Sequence, residues 1–223
     1  MKFFQYIKYF FYLALNWNFR IAWTIIKQEI RGDKKYGINT TGADELKKLE
    51  EKGIDISHAT IYMPVSYSLL EECFTQLTPK PLNRFLDIGC GKGRALCVAA
   101  HFGFKKVTGI DFSKELCEAA KKNLEATREK KPGFDYAVVN NDAFYYEIPR
   151  DVDCIFMFNP FDEVIMSGVV ENIMSSLAEA PRALSVIYVN PLHRELFTRA
   201  GFKEVYYSKK MKYLEVEILD TGS

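Results

Sequence analysis

The chain has no C-x-x-C pair, only three histidines, no net charge to speak of and no long apolar run, and each shortage closes off a class of protein. Its five cysteines, Cys73, Cys90, Cys97, Cys117 and Cys154, are odd in number and sit in apolar settings. They read as reduced, packed thiols and not as a disulfide framework or a zinc site. His58, His101 and His193 are too widely separated to form a metal cluster. Thirty Lys and Arg against 29 Asp and Glu leave +1, which argues against a binder that works by neutralising phosphates along a nucleic acid. The longest uncharged run of the N-terminal stretch, Tyr9 to Phe19, has eleven residues, where a membrane-crossing helix needs about 20. No small-x-small cleavage site follows it cleanly, so a signal peptide fits poorly. Hydrophobic residues at 48% and charged residues at 26% exclude a disordered or fibrous chain. The 223 residues suit one domain with an appendage.

What is present divides at about residue 58. The opening stretch, MKFFQYIKYFFYLALNWNFRIAWTIIKQEIRG, is aromatic and basic. Its first 35 residues hold seven basic and two acidic side chains. It reads as a long helix that either packs on the domain or rests on a membrane surface with Lys8, Arg20 and Lys27 on the polar side. RGDKKYGINTTG follows as a polar linker, and ADELKKLEEKG as a charged helix capped by Thr40 or Thr41. A third helix is expected after Pro64, through VSYSLLEECFTQL. Residues 1–58 are thus an N-terminal helical extension and 59–223 the main domain.

From residue 84 short β-rich runs alternate with helical segments: RFLDI, KKVTGID, FDYAVVN, VDCIFMFN and RALSVIYVN are the runs. Uninterrupted apolar strands between helices predict a doubly wound, mostly parallel sheet with helices on both faces. FKEVYYSK and MKYLEVEIL then follow without a helix between them and predict a closing antiparallel hairpin. Ligands of such sheets bind outside the C-terminal strand ends, where the strand order reverses.

Four strand–helix junctions carry distinctive residues. Asp87-Ile88-Gly89-Cys90-Gly91-Lys92-Gly93-Arg94 is a glycine turn, which lets backbone approach a ligand. It departs from the Gly-x-Gly-x-x-Gly of dinucleotide sites, and Asp87 would repel a pyrophosphate but suits a cationic ligand. Asp111, about twenty residues beyond the glycines, can accept from both hydroxyls of a ribose, and Ser113 can cap the next helix. Asp142 can accept from an adenine amino group beneath an apolar neighbour, with a plain cap or turn as its rival role. The fourth junction is Asn159-Pro160-Phe161. Cys90 reads as a small filler, His193 as a helix-capping position, and KKNLEATREKK as a solvated helix face.

In these four pieces the sequence resembles the class I S-adenosylmethionine-dependent methyltransferases. FLDIGCGKGRAL looks like their first motif, TGIDFS their second, NNDAF their third and FNPF their fourth, in order and at the family's spacing, over about residues 60–219. Ala59-Thr60-Ile61-Tyr62-Met63-Pro64 and the GCGKGR turn resemble the lysine methyltransferases that lack a SET domain. The resemblance implies a seven-stranded Rossmann-like sheet with its last strand antiparallel. It implies S-adenosylmethionine as cofactor and S-adenosylhomocysteine as product. Tyr62, Asp87, Gly89, Gly91, Gly93, Asp111, Phe112, Asp142, Ala143 and Asn159 then become cofactor contacts, and Asn159, Pro160 and Phe161 face the methyl acceptor. The implied reaction is methylation of a nucleophile, most simply nitrogen of protein lysine or a small amine. A second proline is missing from Asn159-Pro160-Phe161, so a catalytically silent module or partner subunit is the rival reading. A protein or small-molecule acceptor is expected over nucleic acid, in a cytoplasmic chain with peripheral membrane contact through residues 1–30 as the further expectation.

Overall fold

The computed structural model describes residues 2–16, 18–41, 64–77, 83–158, 161–210 and 215–222. Two helices open the chain, α1 (Lys2–Asn16) and α2 (Phe19–Tyr36). The expected single long helix is therefore two. The Phe10 ring meets Phe19 at 5.6 Å and Trp23 at 6.3 Å, and the Tyr6 hydroxyl donates to Asp33 at 2.8 Å, so α1 folds back along α2. Tyr9, Leu13, Ala22 and Ile26 form a small buried cluster between them.

The expected linker is corrected as well, because residues 31–36 continue α2 to Tyr36. Gly32 reads as a chain breaker in sequence, yet here it permits a close approach. A Cβ at that position would lie 2.0 Å from the Tyr67 ring of α3 (Tyr67–Leu77). The expected charged helix over residues 43–53 lies outside the described residues. Thr40 and Thr41, proposed as its cap, have side chains that turn inward to Asp33 and Glu29.

The remaining elements alternate as the apolar patterning requires. They are β1 (Arg84–Ile88), α4 (Arg94–Phe102), β2 (Lys106–Asp111), α5 (Lys114–Lys130), β3 (Asp135–Asn140), a 3-10 turn (Ala143–Tyr145), β4 (Cys154–Phe158), α6 (Glu163–Glu179), β5 (Ser185–Val189), α7 (Arg194–Arg199), β6 (Lys203–Lys209) and β7 (Glu215–Asp220). They build one seven-stranded sheet in the order β3-β2-β1-β4-β5-β7-β6. β7 inserts between β5 and β6 and runs antiparallel to both. Alternate residues of β1 divide two cores. Phe85 packs with Leu70, Phe74, Leu96 and Leu124 on the α3, α4 and α5 side, while Leu86 and Ile88 pack with Met166, Ile173 and Phe197 on the α6 and α7 side. The strand order reverses between β1 and β4, which opens the ligand crevice at their C-terminal ends.

Candidate cofactor site

β1 ends in Asp87 and Ile88, and the chain then turns through Gly89, Gly91 and Gly93 with φ of 78°, 53° and 77°. A side chain in this left-handed region is strained, so glycine is required at each step. Gly93 has a second reason, since a Cβ there would lie 3.1 Å from that of Ala120. The backbone N–H groups of Gly89 and Cys90 both donate to the Ile110 carbonyl at 2.9 Å, which pins the turn to the end of β2.

Asp111 closes that strand and is buried. One carboxylate oxygen accepts from the Gly91 N–H at 2.8 Å and the other from the Ser113 N–H at 2.9 Å. The carboxylate is thereby fixed in position at the strand end, and a carboxylate is the acceptor type that ribose hydroxyls require. Ser113 caps α5 by accepting from the Leu116 N–H at 3.3 Å. Asn140, which the sequence reading did not single out, donates to the carbonyls of Asp111 at 3.0 Å and Phe112 at 2.8 Å. It ties the second junction to the third.

Asp87 is buried 3% exposed, and burial, reinforced by the charge of Asp111, holds its carboxyl well above the usual carboxylate range. A positive ligand would reverse that shift. Burial also pushes the Cys90 thiol up, with Asp111 and Asp87 adding to it, so Cys90 stays protonated and serves as filler against Gly109. Asp142 is exposed and accepts from the Phe144 N–H at 2.9 Å, so it does cap the 3-10 turn. It follows the C-terminal end of β3, next to buried Ala143. Phe112, Phe144, Phe158 and Phe161 are all half-buried near the strand ends. Tyr62, Asn159 and Pro160 lie outside the described residues. His193 stands at the start of α7 as expected, without a side-chain bond to the helix.

The largest feature absent from the sequence reading lies beneath the glycine turn. Arg94, first residue of α4, is buried and paired with Glu29 of α2, also buried. Its NH1 donates to Glu29 Oε1 at 2.9 Å and to the Val65 carbonyl at 2.7 Å, and its Nε donates to Thr40 Oγ1 at 2.8 Å. The Tyr67 ring lies 4.1 Å from its guanidinium carbon. Asp33 accepts from Thr40, Thr41, Tyr6 and Tyr67. Asn123 of α5 donates to the carbonyls of Lys92 at 2.9 Å and Asn39 at 3.2 Å. The N-terminal helices are thus bonded to the element that follows the glycines. No local pattern announces a pair 65 residues apart; Glu29 and Asp33, four apart on one helical face, were the available hint.

The methyltransferase domain family matches residues 85–184, which run from β1 to the start of β5. A 23S rRNA (uracil-C5)-methyltransferase of Thiobacillus denitrificans is 29% identical over 130 residues, covering 56% of this chain and 28% of that protein. A ribosomal protein L11 methyltransferase of Desulforapulum autotrophicum is 31% identical over 109 residues, covering 49% and 34%. The magnesium protoporphyrin IX methyltransferase of Synechocystis, solved with bound S-adenosylmethionine, superposes with a TM-score of 0.52 at 18% identity. It covers 69% of this chain and 77% of that one. The chain spans about a third or less of the length of these two curated relatives. Over residues 85–184 the chain is similar to the methyltransferase domain family, and its sheet shares the fold of the solved methyltransferase.

Proposed function

We propose that the chain transfers the methyl group of S-adenosylmethionine to a nitrogen nucleophile, on a protein lysine or a small amine. The observation that carries the reading is the register of Asp87, the glycine turn and Asp111 at one edge of the sheet, with Gly91 N–H fixed on Asp111. These residues fit the cofactor: Asp111 faces a ribose, the glycines admit the chain backbone close to it, and Asp87 offers a buried carboxyl whose charged form a cation would favour. When bound, S-adenosylmethionine supplies a methyl group already activated on sulfonium.

The protein's task is then positioning. Acceptor and methyl must be held about 3–3.5 Å apart and in line, with water excluded. An ammonium acceptor must also lose its proton, and the half-buried Phe112, Phe144, Phe158 and Phe161 supply a surface that disfavours the charged form. In this reading the side-chain oxygen of Asn159 accepts an N–H bond and aims the lone pair. The resemblance of Ala59-Thr60-Ile61-Tyr62-Met63-Pro64 and the GCGKGR turn to lysine methyltransferases lacking a SET domain supports protein lysine as the first acceptor to try.

Transfer of tritiated methyl from the cofactor into fractionated lysate tests the proposal. Label is expected in protein or small-amine material. Label in RNA that survives protease treatment would overturn the nitrogen-on-protein reading, and cofactor binding without transfer to any fraction would support a silent module instead.

A further inference from the structure

The buried network fixes which way the N-terminal helices point. Glu29 of α2 lies against Arg94, at the start of α4, while Tyr36 lies against His101, near its end, with ring centroids 5.0 Å apart. α2 therefore runs in the same direction as α4. Since α4 begins at the cofactor edge of the sheet, the ten residues of α2 before Glu29 project about 15 Å past that edge.

The projecting part carries an exposed apolar surface. Along α1, Phe4, Ile7, Phe11 and Leu15 recur on the solvent side, with Leu15 86% exposed. Across the hairpin, Phe19 and Trp23 are 67% and 56% exposed and join the same patch through Phe10. The charges around it have one sign. Both acids of the first 35 residues, Glu29 and Asp33, are buried, whereas Lys8, Arg20, Lys27, Arg31 and Lys34 are exposed. Lys8 stands one turn from both Phe4 and Phe11, and the Lys27 ammonium lies 5.1 Å from the centre of the Trp23 ring.

We propose that α1 and the first half of α2 form a docking hairpin for an anionic bilayer surface, which holds the cofactor edge of the sheet against the membrane. An apolar stripe rimmed by lysine and arginine, with an indole at the boundary, matches the lipid interface in both hydrophobicity and charge. Aliphatic Leu15, Ile7 and Ile30 would gain nothing from a nucleic acid. A second copy of this chain would bring the same basic residues face to face. No helix among the described residues is long and apolar enough to cross the membrane, so the contact is with the surface.

The experiment uses the full chain with Trp17→Phe, leaving Trp23 as the one indole, and vesicles of phosphatidylcholine with or without phosphatidylglycerol. Co-sedimentation is expected with the anionic vesicles, weakened by salt, with Trp23 emission shifted to the blue. Phe11→Ala/Leu15→Ala/Phe19→Ala and, separately, Lys8→Glu/Arg20→Glu/Lys27→Glu should each lose about tenfold or more in vesicle affinity. S-adenosylhomocysteine affinity, read in the same samples, should be unchanged and shows that the variants are folded. The proposal is overturned if the wild-type chain ignores anionic vesicles. It is equally overturned if both variants bind vesicles as the wild type does, or if the patch is occupied by a second copy in a dimer that the apolar variant abolishes.

Discussion

Glu29→Ala removes the buried counter-ion of Arg94, and the structure sets the size of the effect. Both partners are buried, and the guanidinium keeps Thr40, the Val65 carbonyl and the Tyr67 ring as neighbours after the substitution, none of them charged. Asp33 is one residue further along the network and is already shared among four hydroxyls. Leaving a buried charge without its partner costs about 3–5 kcal/mol, against the 5–15 kcal/mol that typically stabilises a domain. Urea denaturation followed by circular dichroism should therefore show a large fall in midpoint with little change in slope. Because Arg94 begins the helix after the glycine turn, S-adenosylhomocysteine affinity should fall as well. The double variant Glu29→Met/Arg94→Met removes both charges and fills the space, so it should recover much of the lost stability. A loss below about 1 kcal/mol in the single variant, the value of an exposed pair, would refute the idea that this pair anchors the N-terminal helices.

Three other outcomes follow from single residues. Gly32→Ala places a methyl group into the Tyr67 ring and should lower thermal stability by about 1–3 kcal/mol; an unchanged melting temperature would show that α2 does not sit against α3 as described. Asp87 has a folded pKa raised above its unfolded value, so its contribution to stability is present at acid pH and declines as pH rises from the ordinary carboxylate range through the raised value. S-adenosylmethionine carries a sulfonium charge that S-adenosylhomocysteine lacks, so the ratio of their affinities should increase with pH over that window, and a flat ratio measured by calorimetry would remove Asp87 from the sulfonium's surroundings. Asn140→Ala removes the amide that donates to the carbonyls of Asp111 and Phe112 and should weaken cofactor binding several-fold without unfolding the sheet, as intrinsic fluorescence and a binding titration would report together.

The parts of the fold that could be read in advance were those with local causes. β1 falls on RFLDI residue for residue, because an apolar β-rich run is bounded there by Asn83 and the glycine turn. The other strands agree to within a few residues, and the inserted antiparallel β7 follows from two strands with no helix between them. Ser113 caps its helix as its position after a strand end led one to expect. Asp142 takes the capping role that was one of its two candidates. The misread segments have distant causes. Gly32 looks like a helix stop until Tyr67, 35 residues away, is seen to occupy the space of its missing Cβ. Arg94 looked like a mismatch to the dinucleotide fingerprint, and its partner Glu29 belongs to a helix that seemed a separate appendage. Thr40 and Thr41 look like caps from sequence because hydroxyls before a charged run usually are; here buried carboxylates take those hydroxyls.

The central claim is that the crevice over β1 and β2 holds S-adenosylmethionine through Asp111. Isothermal titration of the full chain with S-adenosylhomocysteine and with NAD, repeated on Asp111→Asn, tests it most directly. The account predicts saturable binding of S-adenosylhomocysteine, none of NAD at the same concentration, and a loss of about 1.5–3 kcal/mol in the variant, or roughly tenfold or more in affinity. Equal affinity in wild type and variant, or NAD bound as tightly as S-adenosylhomocysteine, would contradict it.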